Sequence, residues 1–230
     1  VGGGITWDST WESEYREVQQ KAAVLYRKQA RFQLITTGKI SQKTLLFEKQ
    51  HLERLQKASR YFAFPFDQEV LKQEIEKECQ SCNLLQDYRM RISLSKYGKI
   101  EINRQVLTPL SPNFCQAKLC LQEADLQQAF TYFKTTHRPH LTMGENENIY
   151  YTADGKLLET SIGNLVLKMD GKLYTPPSTL GLLPGIYRQH LLESGQVEEK
   201  VLTIEDLKRA EVICGCNAVR GLYELSVKEH

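Results

Sequence analysis

The chain has 230 residues, 41% hydrophobic and 25% charged, an ordinary composition for a globular protein with a real core and no need of covalent staples. Its 30 basic and 28 acidic residues leave a formal charge of +2, which excludes a global field that would draw nucleic acid or an acidic membrane surface. No apolar run approaches the ~18 residues of a membrane span and no signal peptide opens the text, so a membrane partner is not expected. Six cysteines spread over this length fit a reducing cytoplasm better than a disulfide scaffold. Residue 1 is Val and the first methionine is Met90, as in a piece of something longer.

In chain order, a short strand at Ile5, Thr6 and Trp7 leads into a helix. Ser9 and Glu12 have the spacing of a capping box, and Trp11, Tyr15, Val18, Ala22 and Leu25 form one apolar stripe. Strands are expected over Phe32–Thr36, Lys43–Phe47, Tyr88–Leu94 and Lys99–Asn103, with Tyr97-Gly98 as a hairpin turn. Helices are expected over Glu48–Ser59, with Leu52 and Leu55 inward, and Asp67–Cys79, capped by Asp67 with Val70, Leu71 and Ile75 inward. Pro109 and Pro112 mark Thr108–Phe114 as a link between two lobes.

Beyond it, a strand is expected near Thr131–Thr136, a hairpin around Ala153–Lys156, and a tight turn at Asp170-Gly171. A helix over Ile186–Glu193 ends at Gly195, a short one covers Glu205–Ala210, and an apolar strand follows at Val212–Cys214. The sum is an α+β chain divided as 1–31, 32–114 and 115–230.

Three glycine-bearing segments could hold an anion: the turn Gly181–Gly185 opening a helix, the loop Gly215-Cys216-Asn217, and Gly2-Gly3-Gly4. Cys79-Gln-Ser-Cys82 is a lone pair of cysteines with no second pair at zinc spacing, and no metal is expected.

The segments Glu159-Thr-Ser-Ile-Gly-Asn164-Leu, Thr175-Pro176 and Leu183-Pro-Gly-Ile-Tyr-Arg188 together resemble the signature of the class IV aminotransferases, two-domain pyridoxal-phosphate enzymes of fold type IV. Within that family, His51-Leu-Glu-Arg54-Leu, Arg60–Asp67, Lys134-Thr-Thr-His-Arg138 and Asn217-Ala-Val-Arg220-Gly221 look most like the aminodeoxychorismate lyase module fused behind aminodeoxychorismate synthase. The likeness spans residues 32 to 225 in consistent order. Val1–Ser9 with Glu14–Ala22 looks like the end of a chorismate-binding domain, where Glu17 matches a Mg²⁺-binding glutamate and Lys21 a nearby lysine. One glutamate makes no cation site, so residues 1–31 read as a remnant without synthase activity.

What the resemblance implies is specific. Lys134 matches the lysine that carries the cofactor, and burial among Phe130, Tyr132 and Phe133 would make its amine a better base. Glu159 matches the carboxylate paired with the cofactor's pyridine nitrogen, where an anion keeps the ring protonated and electron-accepting. Arg54 matches the phosphate-binding arginine, with Ile186 and Tyr187 offering helix-start amides and Asn217 flanking the phosphate. Related enzymes place a threonine where Tyr187 stands. Asn164 reads as a structural turn residue. His137, Arg138 and Arg220 are candidates for the substrate. Thr36-Thr37-Gly38 and Val166 depart from the family text without removing a cofactor anchor.

The resemblance thus implies a cytoplasmic, homodimeric enzyme that releases pyruvate and 4-aminobenzoate from 4-amino-4-deoxychorismate for folate synthesis. A D-amino acid or branched-chain aminotransferase would share every cofactor residue. A non-catalytic relic on the same fold is the third reading.

Overall fold

The computed structural model describes residues 10–26, 31–122 and 128–227, the side chains of 20–26 and 128 excepted. By packing, the chain divides into Val1–Arg31 and Phe32–His230. The first unit contains α1 (Trp11–Tyr26). Thr10 caps it where Ser9 was expected to: the Ser13 amide donates to Thr10 Oγ1 at 3.3 Å and the Thr10 amide to Ser13 Oγ at 3.2 Å. This is the reciprocal exchange of a capping box, one residue later and with Ser13 in the role given to Glu12. Trp11 and Tyr15, one turn apart, have ring centroids 6.2 Å apart. The glycines and strand before Ser9, Ser9 itself, and the side chains of Lys21, Ala22 and Leu25 lie outside the described residues.

The second unit begins with β1 (Leu34–Ser41) and β2 (Thr44–Leu45), then α2 (Glu48–Phe62) and α3 (Gln68–Gln80), then β3 (Tyr88–Leu94) and β4 (Ile100–Val106). The strands form an antiparallel sheet in the order β2-β1-β3-β4. Alternation fixes its two faces. Met90, Ile92 and Leu94 of β3 pack with Leu52 and Leu55 of α2 and Leu71 and Ile75 of α3 in one core. Arg89 and Arg91 therefore point the other way. β2 is shorter than the expected Lys43–Phe47 because Gln42, Lys43 and Phe47 take left-handed backbone conformations that end the pairing on both sides. Val70, expected inward, is 47% exposed. The buried row of α3 is Leu71, Ile75 and Cys79 at a spacing of four, which leaves Val70 about 100° away around the helix. Cys79 and Cys82 are buried in this core and free.

The remainder forms an eight-stranded sheet from β5 (Gln116–Leu121), β6 (Asn148–Tyr151), β7 (Leu157–Thr160), β8 (Asn164–Met169), β9 (Lys172–Thr175), β10 (Glu198–Glu199), β11 (Val212–Asn217) and β12 (Gly221–Val227), with α4 (Gln128–Tyr132), α5 (Ile186–Glu193) and α6 (Ile204–Arg209) between them. The order is β10-β9-β8-β11-β12-β5-β6-β7, and β7 pairs again with β8, so six strands close into a ring. Inside it lie Ala117, Ile149, Leu157, Leu165 and Leu167. Asp170 and Gly171 turn β8 into β9 with φ of 50° and 72°, the left-handed pair that a two-residue hairpin needs.

Two expectations fail here. The run Thr131–Thr136, rich in β-branched and aromatic residues, begins in α4, because Phe130 and Phe133, three apart, stack into a cluster with Phe32 and Phe62. Only Thr135 bridges to a strand, pairing with Leu34 of β1. Gly215-Cys216-Asn217 is strand, not loop: β11 continues through it, paired to Asn164 and Leu165 of β8.

Candidate active site

The seam between the two sheets is built by hydrogen bonds around Lys134. The Ile35 amide donates to the Lys134 carbonyl, and the Thr136 amide to the Gln33 carbonyl, both at 2.9 Å. Thr135 is buried between them and donates through Oγ1 to the His137 carbonyl at 2.7 Å. Lys134 is thus held on a short extended segment that opens into a pocket of about 370 Å³. Arg54, Arg138, Glu159, Ile186, Asn217 and Arg220 line the same pocket, so residues spread from 54 to 220 converge.

Lys134 and Glu159 are a titrating pair. Burial, then Arg54 and Arg138, push the Lys134 amine well below the usual lysine range, against the pull of Glu159. Burial pushes the Glu159 carboxyl up to about 7, opposed by Arg138, the Leu183 amide and Lys134. Arg138 Nη2 stands 3.7 Å from Glu159 Oε2. The Leu183 amide points at Glu159 Oε1 at 3.4 Å.

The other end of the pocket is cationic. The Pro184-Gly185 turn opens α5, whose first amides receive no side-chain cap. Arg54 Nη2 donates to the Pro184 carbonyl at 2.7 Å, which holds the guanidinium beside that helix start. Burial, then Arg138, lower Arg54 to about 10, still a cation at neutral pH. Asn164 Nδ2 donates to the Leu183 carbonyl at 2.8 Å, the structural role expected of it. A Cβ on Gly185 would stand 1.9 Å from Asn164 Oδ1, so only glycine fits at this turn. Arg188, only 2% exposed, anchors α5 by donating to the Pro176 carbonyl and to Glu199.

Other expected residues serve differently. The Tyr187 ring turns away to Phe47 and His190 and lines a separate, smaller pocket, leaving only its main-chain amide at the helix start. Asn217 lines the main pocket, but its Oδ1 accepts from the Val219 and Arg220 amides at 2.9 Å, and its Nδ2 is directed at the Ile162 carbonyl. It shapes the loop rather than offering a free amide group. His137 packs edge-on against Phe130, centroids 4.9 Å apart, and does not line the pocket. Arg220 donates to the Thr108 carbonyl and keeps further donors.

Sequence reasoning missed three neighbours of the pair. His140 is buried with its Nε2 3.9 Å from Glu159 Oε1, and burial, then Arg138 and His137, lower it to about 4, so the ring is neutral and this is no ion pair. Neither of its ring nitrogens has a hydrogen-bond partner among the described residues. His51 is buried behind Arg54, its Nδ1 2.6 Å from Thr36 Oγ1, and burial, then Arg54 and Lys134, lower it to about 3. Its other nitrogen would stand 2.6 Å from a Cβ on Gly38, which accounts for Thr36-Thr37-Gly38 as a packing unit. Arg89 is the third, with Arg91 beside it on the strand; both line the pocket. The only signal for them in the text was the alternation of β3.

Comparison with known proteins adds the following. The family described as amino-transferase class IV matches residues 33–226. A Mesorhizobium loti protein, provisionally named an amino-acid aminotransferase, has a TM-score of 0.73 and 26% identity, covering 86% of this chain and 100% of that one. A Mycobacterium tuberculosis protein, a hypothetical aminotransferase solved with PLP bound, has a TM-score of 0.71 and 17% identity, covering 90% and 83%. A Haemophilus somnus protein, provisionally named a 4-amino-4-deoxychorismate lyase, has a TM-score of 0.67 and 23% identity, covering 84% and 100%. The last two likenesses speak for the fold.

Proposed function

Because the chain belongs to the class IV aminotransferase family, we propose that it is a pyridoxal-phosphate-dependent lyase converting 4-amino-4-deoxychorismate to 4-aminobenzoate and pyruvate. The observation that carries the cofactor is the donor set itself: one lysine of lowered proton affinity, one buried carboxylate, and an uncapped helix start beside an arginine, in a single pocket. These groups match what pyridoxal phosphate needs, an amine, a partner for the pyridine nitrogen, and a phosphate cradle. Lys134 would carry the cofactor, Glu159 would face its ring nitrogen, and Arg54 with the Ile186 and Tyr187 amides would hold the phosphate. When bound, the cofactor supplies an electron sink for a carbanion at the amine-bearing carbon.

The chain's own contribution is then largely proton handling. With its proton affinity lowered by burial and by Arg54, Arg138 and Arg89, Lys134 Nζ is a readier proton acceptor than an ordinary lysine once freed. It takes the proton from the amine-bearing ring carbon. The carbon–oxygen bond to the enolpyruvyl group breaks with its electron pair going to oxygen, the ring becomes aromatic, and the departing enolate takes one proton, the one Lys134 removed or one from water, at its methylene carbon to become pyruvate. Arg138 pulls Glu159 toward its anionic form against the cost of burial.

The choice of lyase rests on the sequence resemblance and is supported by the lyase name of the Haemophilus somnus neighbour. The Mesorhizobium loti neighbour, at higher identity, favours amino transfer as the second reading. Pyruvate release from 4-amino-4-deoxychorismate without added keto acid separates the two: amino transfer that depends on a keto acid, with no pyruvate, would sink the lyase. We further read 32–114 and 115–230 as the two lobes, 1–31 as the remnant of a chorismate-binding domain, and the working form as a cytoplasmic homodimer, which light scattering tests.

A further inference from the structure

The turn that follows Lys134 brings a second, uncharged group to Glu159. Residues 138–141 form a tight turn, closed by the Leu141 amide donating to the Arg138 carbonyl at 3.1 Å. It is anchored just upstream, where Thr135 Oγ1 donates to the His137 carbonyl. Arg138 and His140, two residues apart, thereby approach the two oxygens of one carboxylate. Arg138 Nη2 stands 3.7 Å from Oε2 and His140 Nε2 stands 3.9 Å from Oε1.

The His140 side chain is 1% exposed, and among the described residues neither of its ring nitrogens has a hydrogen-bond partner. A neutral imidazole carries one N–H, and a buried donor left unmatched loses its hydration for nothing in return. Polar groups further along the segment are engaged with one another: the Tyr150 hydroxyl accepts from the Thr142 amide at 2.6 Å and donates to the Thr142 carbonyl, as does Asn148 Nδ2. Glu159, for its part, is loosely held. The Leu183 amide reaches Oε1 at 3.4 Å, Arg138 reaches Oε2 at 3.7 Å, and Lys134 acts on it through space. These are long contacts for a buried carboxylate. An unused donor and an under-held acceptor thus face each other across a gap that a shift of about 1 Å closes to hydrogen-bond length.

We propose that His140 is a positioning residue for Glu159: its Nε2–H donates to Oε1 of the ionised carboxylate and, with Arg138 on Oε2, fixes the orientation in which that carboxylate meets the cofactor's ring nitrogen. An imidazole suits the task because it adds a donor without adding a charge. Burial, then Arg138 and His137, hold the ring neutral by lowering it to about 4. A second cation at this place would compete with the ring nitrogen for the carboxylate's field. The inference rests on the reading of Glu159 as the partner of that nitrogen and adds to it the group that holds Glu159 in place.

Two measurements test it. Nitrogen-15 NMR of the cofactor-free chain labelled at histidine, with His140 assigned by its absence in His140→Gln, reads which ring nitrogen carries the hydrogen. On the alkaline side of the Glu159 titration the hydrogen should be on Nε2; a hydrogen on Nδ1 there overturns the proposal. The second measurement uses pyridoxine 5′-phosphate, which has the cofactor's ring nitrogen and phosphate but an alcohol in place of the aldehyde, so Lys134 forms no bond to it. His140→Phe keeps a ring and removes the donor, whereas His140→Gln places an amide N–H near the position of Nε2. In calorimetric titrations across pH, the Phe variant should bind the probe roughly tenfold more weakly, the worth of one bond to a charged group. Its loss of affinity on acidification should also set in at higher pH, because Glu159 without this donor holds its proton more tightly. The Gln variant should recover most of both effects.

Unchanged binding in His140→Phe overturns the proposal, and so does equal weakness of the Phe and Gln variants, which is the mark of a packing role. Glu159→Gln keeps the two ideas apart. If that variant binds the probe as wild type does, the pairing of Glu159 with the ring nitrogen fails and the proposal falls with it. If Glu159→Gln weakens binding while His140→Phe does not, the proposal alone falls. None of these readouts involves turnover, so none depends on whether pyruvate is released.

Discussion

Two helices of this chain begin in opposite ways. At α3 the Asp67 carboxylate accepts from the amides of Glu69 and Val70 at 2.9 and 3.1 Å, so the chain satisfies its own helix start. At α5 the corresponding place is Gly185, whose lack of a side chain leaves the first amides without a cap, at the wall of a pocket that also holds Arg54. The first helix end is sealed for stability and the second is left open. An open helix start beside a held arginine is an arrangement suited to an anion, and the same contrast runs across β3, apolar on the core face and cationic on the pocket face.

Closing the open end should have the largest effect. Gly185→Ala places a methyl group against Asn164 Oδ1, so Asn164 must release Leu183 and the helix start must shift. Turnover should fall on the order of a hundredfold, as for small misplacements of a binding group, with cofactor affinity weakened in a fluorescence titration. Without cofactor, Glu159→Gln should show a stability change with a defined sign. The carboxyl is held at about 7, above its unfolded value of 4.5, so the stability it contributes is lost as pH rises through that window. The variant should therefore gain on the wild type between those pH values, by about 3 kcal/mol, and then stay level. Urea melts at pH 4.5 and 8 check this.

His51 and His140 work in the other direction. Each ring titrates lower in the folded chain, at about 3 and about 4, than the ordinary 6.5. Their stability is fully present above that value and drains away as pH falls toward 4 and 3. A pair of melts with His51→Gln and wild type at pH 4 and 7 should show the variant less sensitive to acid.

Smaller effects sharpen the comparison. Arg54→Gln should weaken cofactor binding roughly tenfold, the value of one bond to a charged group, while the cofactor-free melting temperature barely moves. Asp67→Ala should do the reverse, costing about 1 kcal/mol of stability with cofactor affinity unchanged. If the two variants had the same profile, the distinction between sealed and open helix starts would be wrong.

The parts of the molecule legible in the sequence are those dictated by local chemistry. The Pro184-Gly185 turn and the apolar spacing after it define α5 to the residue, and Asp67 announces its own cap. Asp170-Gly171 can do little else than turn. Lys134, Glu159 and Arg54 were chosen through family resemblance, since a lysine in FKTTHR carries no physical mark of its own. What the sequence withheld is decided by tertiary neighbours. Thr131–Thr136 has a strand's composition, yet stacking of Phe130 and Phe133 on Phe62 makes its start helical. Arg89 and Arg91 look like the solvated side of a strand until the ring-closed sheet supplies the opposite wall. His140 gains its place against Glu159 only through the turn at residues 138–141.

The most direct test of the account is where the cofactor attaches. The purified chain, loaded with pyridoxal phosphate, should show a visible absorbance band that borohydride bleaches, and peptide mapping of the reduced protein should find the added mass on Lys134. A band that forms and bleaches with the mass on another lysine, or no band at all in the presence of excess cofactor, would contradict the assignment of Lys134, Glu159 and the open start of α5 as one site.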